Sequence, residues 1–387
     1  MINFPLASST WDEEEINAIH EITKSGFFTM GKKVEEYENN FADFFGSKYA
    51  VMTNSGSSAN LIMVAALLMS NKNNIKRGDE IIVPALSWST TYFPLQQYGL
   101  KLVFVDIDKH TLNFDLHKLN NAISNKTKAI LAVNLLGNPN DFNIINKLIG
   151  DQKIIILEDN CQSMGAQYEE KYSGTFGLMG TFSTFYSHHI STIEGGCVLT
   201  NDEEIYHILL VLRAHGWTRD LPKFNQITGV KDDEGFNESF KFILPGYNVR
   251  PTEISGAIGN VQIKKLSKFI SSRRENAKFF HKTFKNHPYI QIQEEIGRSS
   301  WYGFSIIIKD NTDVNRNDII KNLTKNGVET RPISSGNFLK HDVIKYFDYR
   351  IDGGIETAEY IDRNGFFIGN HHYDVKQKIT EISQLLQ

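Results

Sequence analysis

Short apolar runs alternate with longer amphipathic stretches up to about residue 250. Runs at Tyr49–Thr53, Glu80–Pro84, Leu102–Asp106, Ala129–Asn134, Ile154–Glu158, Gly180–Tyr186 and Cys197–Thr200 predict strands. Ala59–Leu68 and Leu116–Ala122 carry the helical spacing of apolar positions. Strands alternating with helices imply an α/β fold whose sheet is mostly parallel and covered on both faces. Near-continuous apolar strands such as Ile154-Ile155-Ile156-Leu157 suit burial on both sides. Seven such runs predict a seven-stranded sheet, with ligands expected beyond the carboxyl ends of its strands.

The pattern changes after Tyr247-Asn248-Val249-Arg250-Pro251. A helical run over Glu253–Leu266 leads into the polar Ser271-Ser272-Arg273-Arg274-Glu275 stretch, where the arginine pair reads as a solvated helix face. Strand-like Trp301–Ile308 and helix-like Arg316–Asn326 then predict a second, smaller α/β region. The expected division is a large domain over residues 1–250, with a short N-terminal segment, and a smaller domain over 251–387.

Composition narrows the function classes. With 41% hydrophobic and 22% charged residues among 387, the chain resembles an ordinary soluble enzyme. A formal net charge of −4 gives no global attraction to nucleic acid or an anionic membrane, so anionic ligands need local cations. Two cysteines, Cys161 and Cys197, make no disulfide framework and cannot supply a four-cysteine iron–sulfur cluster. No metal site is expected. The N-terminal residues lack the basic start and apolar core of a signal peptide, and no run is long enough to span a bilayer, so a cytoplasmic location is expected.

The chemistry gathers where strands end. Asn54-Ser55-Gly56-Ser57-Ser58-Ala59-Asn60 follows a strand and opens a helix, so free N–H groups and hydroxyls could converge on a phosphate, although such turns also serve as plain caps. Asp159 ends a buried strand, where its carboxylate could pair with a pyridine nitrogen or simply cap a helix. Glu158 points to the opposite side. Trp88, also just past a strand, offers an indole for stacking on a planar ring or for core packing. Ser183 and Ser187 fall on one face if the strand continues through Tyr186.

Taken with Ser183–Gly196 and Gly246–Leu266, these segments make the chain resemble the fold-type I, pyridoxal phosphate (PLP)-dependent nucleotide-sugar aminotransferases over nearly its whole length. The resemblance implies that Gly56, Ser57, Ser58 and Ser183 hold the cofactor phosphate, with Ser187 close by. It implies that Trp88 stacks on the ring, Asp159 pairs with its nitrogen and Gln162 approaches its hydroxyl. Asn248 would reach the phosphate in a neighbouring subunit, which implies a homodimer with shared active sites. Arg219, Arg250 and Arg331 become candidates for substrate diphosphate and donor carboxylates, since arginine binds both bidentately, with surface ion pairs as the alternative. His215 is a candidate to contact substrate or reach across the dimer, with a structural histidine as the alternative.

One position departs from the family. His188, six residues before Glu194-Gly195-Gly196, stands where these aminotransferases carry the Schiff-base lysine. Imidazole cannot tether PLP, but it moves protons near neutrality. The implied reaction is dehydration: with pyridoxamine phosphate (PMP) bound untethered, His188 takes a proton from the cofactor and the C3 hydroxyl of a 4-keto-6-deoxy sugar leaves. The expected substrate is GDP-linked, glutamate regenerates PMP, and 2-oxoglutarate is its product. A second histidine, His189, should turn away by strand alternation. The alternatives are an aminotransferase using another lysine and a catalytically silent cofactor-binding protein.

Overall fold

Every expected strand of the large sheet forms, two of them with the expected ends and five with shifted ends, in the computed structural model, which describes residues 2–310 and 312–386. The strands are Tyr49–Thr53 (β1), Glu80–Pro84 (β2), Lys101–Val105 (β3), Thr127–Val133 (β4), Ile155–Asp159 (β5), Met179–Ser183 (β6) and Gly196–Thr200 (β7). Their order across the sheet is β1-β7-β6-β5-β4-β2-β3. All neighbours run parallel except β7, which is antiparallel to both β1 and β6. The central strands β2 and β6 are buried along their whole length, which is why they read as continuous apolar runs.

The sheet has eight strands, not the seven expected. Tyr349–Asp352 pairs in parallel with β3 and closes that edge. Its sequence, Tyr-Arg-Ile-Asp, leaves alternate residues exposed and lacks an apolar run, so nothing in its pattern separates it from a loop. Arg350 fixes it there by pairing with Glu80 at 3.0 Å. Traffic also runs the other way. Phe4, at the N-terminus, is buried with Phe280, Phe284, Phe304 and Ile368 in the core of the small region. A cut at residue 250 therefore does not separate the two cores cleanly.

The small region holds an antiparallel sheet ordered Ile290–Gln291, Gly303–Ile308, Gly365–Gly369, Thr330–Arg331. A single helix, Glu253–Phe284, connects the regions, running well past the expected end at Leu266. The arginine pair expected on a solvated face is instead largely withdrawn from water. Arg273 is buried, and Arg274 donates to the carbonyls of Ser299, Gly165 and Arg298. The reason is tertiary: the 298–302 segment lies across that helix face and brings unsatisfied carbonyls to it.

The start of this helix also caps another. Helix Lys32–Phe45 begins at Gly31, which has no side chain to cap it. The buried Glu253 carboxylate accepts from the N–H groups of Gly31, Lys33 and Val34 at 2.7, 2.7 and 3.3 Å. It satisfies first-turn donors and places negative charge at the positive end of the helix dipole. Glu253→Ala leaves those donors unpaired, the Val34 N–H in a buried position, and should cost about 1–3 kcal/mol. A lowered chemical-denaturation midpoint would register the loss, and an unchanged midpoint would contradict the assignment.

Candidate active site

The carboxyl ends of β1, β4, β5 and β6 surround a cavity of about 280 Å³. At its floor, β1 turns at Ser55 into helix Gly56–Met69, and the Ser55 hydroxyl caps that helix by accepting from Ser58 N at 3.1 Å. Gly56 is needed there for space. A Cβ on it would lie 2.6 Å from the Ser183 Cβ and 3.1 Å from the Cys161 sulfur. Gly56, Ser57, Thr90 and Ser183 consequently converge on one end of the cavity, with the helix's first-turn N–H groups beneath them. Such a cradle suits a phosphate. Ser58 does not join it, because its hydroxyl donates to Asn54 Oδ1 at 2.6 Å.

Asp159, the last residue of β5, is buried at the cavity wall. Its Oδ2 accepts from Asn60 at 2.9 Å and Thr91 at 2.7 Å, and its Oδ1 accepts from Cys161 N at 3.1 Å. All three donors are neutral, so the carboxylate is held in place with its charge available to a cationic N–H in the cavity. Asn60 is itself oriented by the Thr181 hydroxyl at 2.6 Å. Glu158 points away, as expected, and is occupied by the N–H groups of Gly174, Phe176 and Gly177. Cys161 lines the cavity, but burial and then the Asp159 charge hold its thiol protonated, which removes it as a nucleophile.

Trp88 precedes helix Ser89–Gln97 and is 55% exposed at the cavity rim, so core packing is not its role. Gln162 also lines the cavity, its Oε1 accepting from Leu136 N at 3.2 Å. Leu136 and Gly137 both adopt positive φ. That turn receives Ser300 and Tyr302 of the small region, whose N–H groups donate to Gly137 O and Leu136 O, each at 2.9 Å. A side chain on Gly137 would stand 2.4 Å from Trp301 N. The turn thereby brings Tyr302 into the site.

His188 lies in the connection between β6 and β7. The strand stops at Ser183, short of the expected Tyr186, and His188 N donates to Phe185 O at 2.9 Å in a tight turn. The imidazole sits between the rings of Tyr302 and Phe185, at centroid distances of 5.3 and 6.0 Å. Its Nδ1 is buried without a partner. Burial, and then the Arg273 guanidinium, push it down to about 4, so it is neutral at physiological pH. Ser187 lines the cavity and shares a 3.1 Å hydrogen bond with the Tyr302 hydroxyl. His189 does turn away, its Nε2 lying 3.1 Å from Ser300 O. The turn accounts for this, not strand alternation.

Of the candidate cations, Arg331 lines the cavity. The others gather elsewhere around Trp217. Its indole lies 4.6 Å from His215, and the guanidinium of Arg219 stands 4.3 Å from the ring and that of Arg250 6.0 Å. Asn248 belongs to the same group, accepting from Arg250 Nε at 3.0 Å. None of these four lines this chain's own cavity. Sequence reasoning missed Asn60, Thr90, Thr91 and Tyr302. Asn60 had a readable signal, one turn into the capped helix, whereas Tyr302 had none.

Known proteins share this geometry. A GDP-4-keto-6-deoxy-D-mannose 3-dehydratase of Yersinia pseudotuberculosis is 62% identical, over all of this chain and 99% of its own length. Two crystal structures of GDP-4-keto-6-deoxymannose-3-dehydratase, each 60% identical, superpose with a TM-score of 0.99 over the whole of both chains. One is an H188N mutant with bound GDP-perosamine, and the other holds a trapped PLP-glutamate geminal diamine. The DegT/DnrJ/EryC1/StrS aminotransferase family profile matches residues 9–378, from the N-terminal segment into the last helix, and the chain belongs to that family.

Proposed function

We propose that this chain is a PLP/PMP-dependent dehydratase that removes the C3 hydroxyl of GDP-4-keto-6-deoxy-D-mannose. The products are GDP-4-keto-3,6-dideoxy-D-mannose and ammonia, and glutamate restores PMP. The observation that carries this is a neutral imidazole, in a cavity whose lining includes no lysine, at the position where the family tethers its cofactor. An aminotransferase needs an amine there. The cavity offers none.

The residues present fit the cofactor. Gly56, Ser57, Thr90 and Ser183 line one end of the cavity at a helix start, where hydroxyls and first-turn N–H groups suit a phosphate and Gly56 lies too close to Ser183 to carry a Cβ. The Asp159 carboxylate, held only by neutral donors, suits a pyridinium N–H. Trp88 and Gln162 are placed for the ring face and its hydroxyl. When bound, PMP supplies an amine that condenses with the sugar ketone and a protonated ring that acts as an electron sink. His188 accepts the proton at the cofactor's C4′ carbon, then donates it to the C3 oxygen, which leaves as water. Arg331 suits a carboxylate of glutamate or the diphosphate.

We further assign the Trp217 cluster, with Asn248, His215, Arg219 and Arg250, to the cavity of a partner subunit in a homodimer. Its absence from the lining of this chain's own cavity supports that reading, as do the exposed rings of Phe240 and Phe242 beside Trp217. Among the described residues no helix is long and apolar enough to cross a membrane. The free thiols of Cys161 and Cys197 suit the reducing cytoplasm, where we place the enzyme.

His188→Asn should lower dehydration about 10²–10⁴-fold, read as ammonia released from the GDP-sugar with glutamate and PLP present. Substantial turnover would remove the histidine from its role. In His188→Lys, PLP should become covalently trapped by borohydride and deoxysugar formation should cease. A lysyl adduct already present in the unaltered protein would defeat the proposal. Asp159→Asn should weaken PLP binding about 10–100-fold, the worth of one charge-assisted hydrogen bond, measurable by equilibrium dialysis.

A further inference from the structure

The base in this site has no carboxylate behind it. A histidine that works as a general base is commonly oriented by an acid that also stabilises its protonated form. Here the His188 Nδ1 is buried and unpaired, and the charge nearest behind it is a cation. Arg273, buried on helix Glu253–Phe284, directs its Nη1 at three main-chain carbonyls: Asn370 at 2.8 Å, Tyr302 at 3.1 Å and Trp301 at 3.5 Å. Its Nε has no partner, and its hydrogen bonds to the protein all go to carbonyl oxygens. Burial lowers it only to about 10, so it remains charged at neutral pH.

Two connections run from Arg273 to the base. One is mechanical: the guanidinium fixes the backbone of Trp301 and Tyr302, and the Tyr302 ring is the wall against which the His188 imidazole rests. The other is electrostatic: the buried Arg273 guanidinium, after burial itself, disfavours a second positive charge on the imidazole. The other groups facing His188 offset it weakly. The Phe185 carbonyl favours the protonated form, while the Tyr302 and Ser187 hydroxyls bond to each other and His189 is held neutral by burial and the same arginine. Across the cavity stand Asp159, Glu194 and Arg331. Asp159 already has three donors of its own.

We propose that Arg273 is a positioning residue for the reaction: through the carbonyls of Trp301 and Tyr302 it fixes the Tyr302 ring against which His188 rests, and it sets a buried cation into that same wall. The consequence reaches both halves of the proton relay assigned above, on which this inference rests. Neutral imidazole is available to accept the C4′ proton across the physiological range. Once protonated beside a fixed cation, it is a stronger acid than ordinary imidazolium and gives its proton readily to the departing C3 oxygen. The arrangement favours expulsion of the hydroxyl.

The test is a ¹⁵N-histidine NMR titration of the PLP-loaded enzyme, with His188→Asn identifying the resonance, alongside the pH profile of ammonia release. In the unaltered enzyme His188 should stay neutral down to about pH 5. A depressed value means the base is lost only as pH falls through it, so the acid limb lies low. Arg273→Gln should raise the titration and the acid limb together by about one pH unit. Arg273→Lys should keep both near their original values despite a lower rate. Equal losses in the two variants with an unmoved titration would leave Arg273 a merely structural residue and overturn the proposal. Should the glutamine variant fail to fold, an unaltered enzyme whose His188 titrates at or above its ordinary value overturns it, and a lysine variant with an unmoved limb supports it. Full dehydration by His188→Asn would instead sink the assigned reaction, while leaving the titration result to stand.

Discussion

The Asp159 carboxylate is the point at which the large sheet and the cofactor cavity become one structure. A buried carboxylate is costly unless its oxygens are occupied, and here the occupants come from separate elements: Asn60 from the helix after β1, Thr91 from the helix after β2, and Cys161 N from its own turn. Those helix starts are the ones that bear Gly56, Ser57, Trp88 and Thr90. Holding the ion thus fixes Gly56 and Ser57 relative to Trp88 across the cavity. Because every donor is neutral, the network orients the charge without cancelling it, and a cationic ring can use what remains.

The opposite wall is built on different physics. His188 has no hydrogen-bonded orienting partner at its Nδ1. Phe185, Tyr302 and the turn that ends at Gly196 confine the ring by packing. A lysine in this place would need a route for its charge and a reach to the cofactor. An imidazole needs only a slot of the right width. Tyr302 supplies one side of that slot from the small region, so the relative placement of the two regions sets the position of His188. The Leu136–Gly137 turn, strained enough to require positive φ at both residues, is what docks them there.

Much of this was legible in the chain. The strands of the parallel core show as apolar runs because burial on both faces leaves no polar register to interrupt them. Gly56, Asp159, Trp88 and Ser183 stand at strand ends, where ligands of such sheets gather, Gln162 and His188 follow from the family resemblance, and all six reach the cavity. The misreadings share a cause. Tyr349–Asp352 and the Arg273-Arg274 pair are polar enough to read as loop and solvated face, yet distant segments cover or pair with them. Ser58 was assigned by motif, but the hydroxyls of a helix start are shared between capping and ligand binding, and its own is spent on Asn54.

The sequence by itself determined the fold class, the strand-end chemistry and the loss of the tether, because each depends on residue type and on contacts close along the chain. Tertiary structure alone decided what His188 became. Its neutrality arises from burial and from Arg273, and its placement from Tyr302, residues lying 85 and 114 positions further along the chain. Desolvation and Coulomb forces depend on distance in space, and no local pattern records which distant charge a buried ring will face.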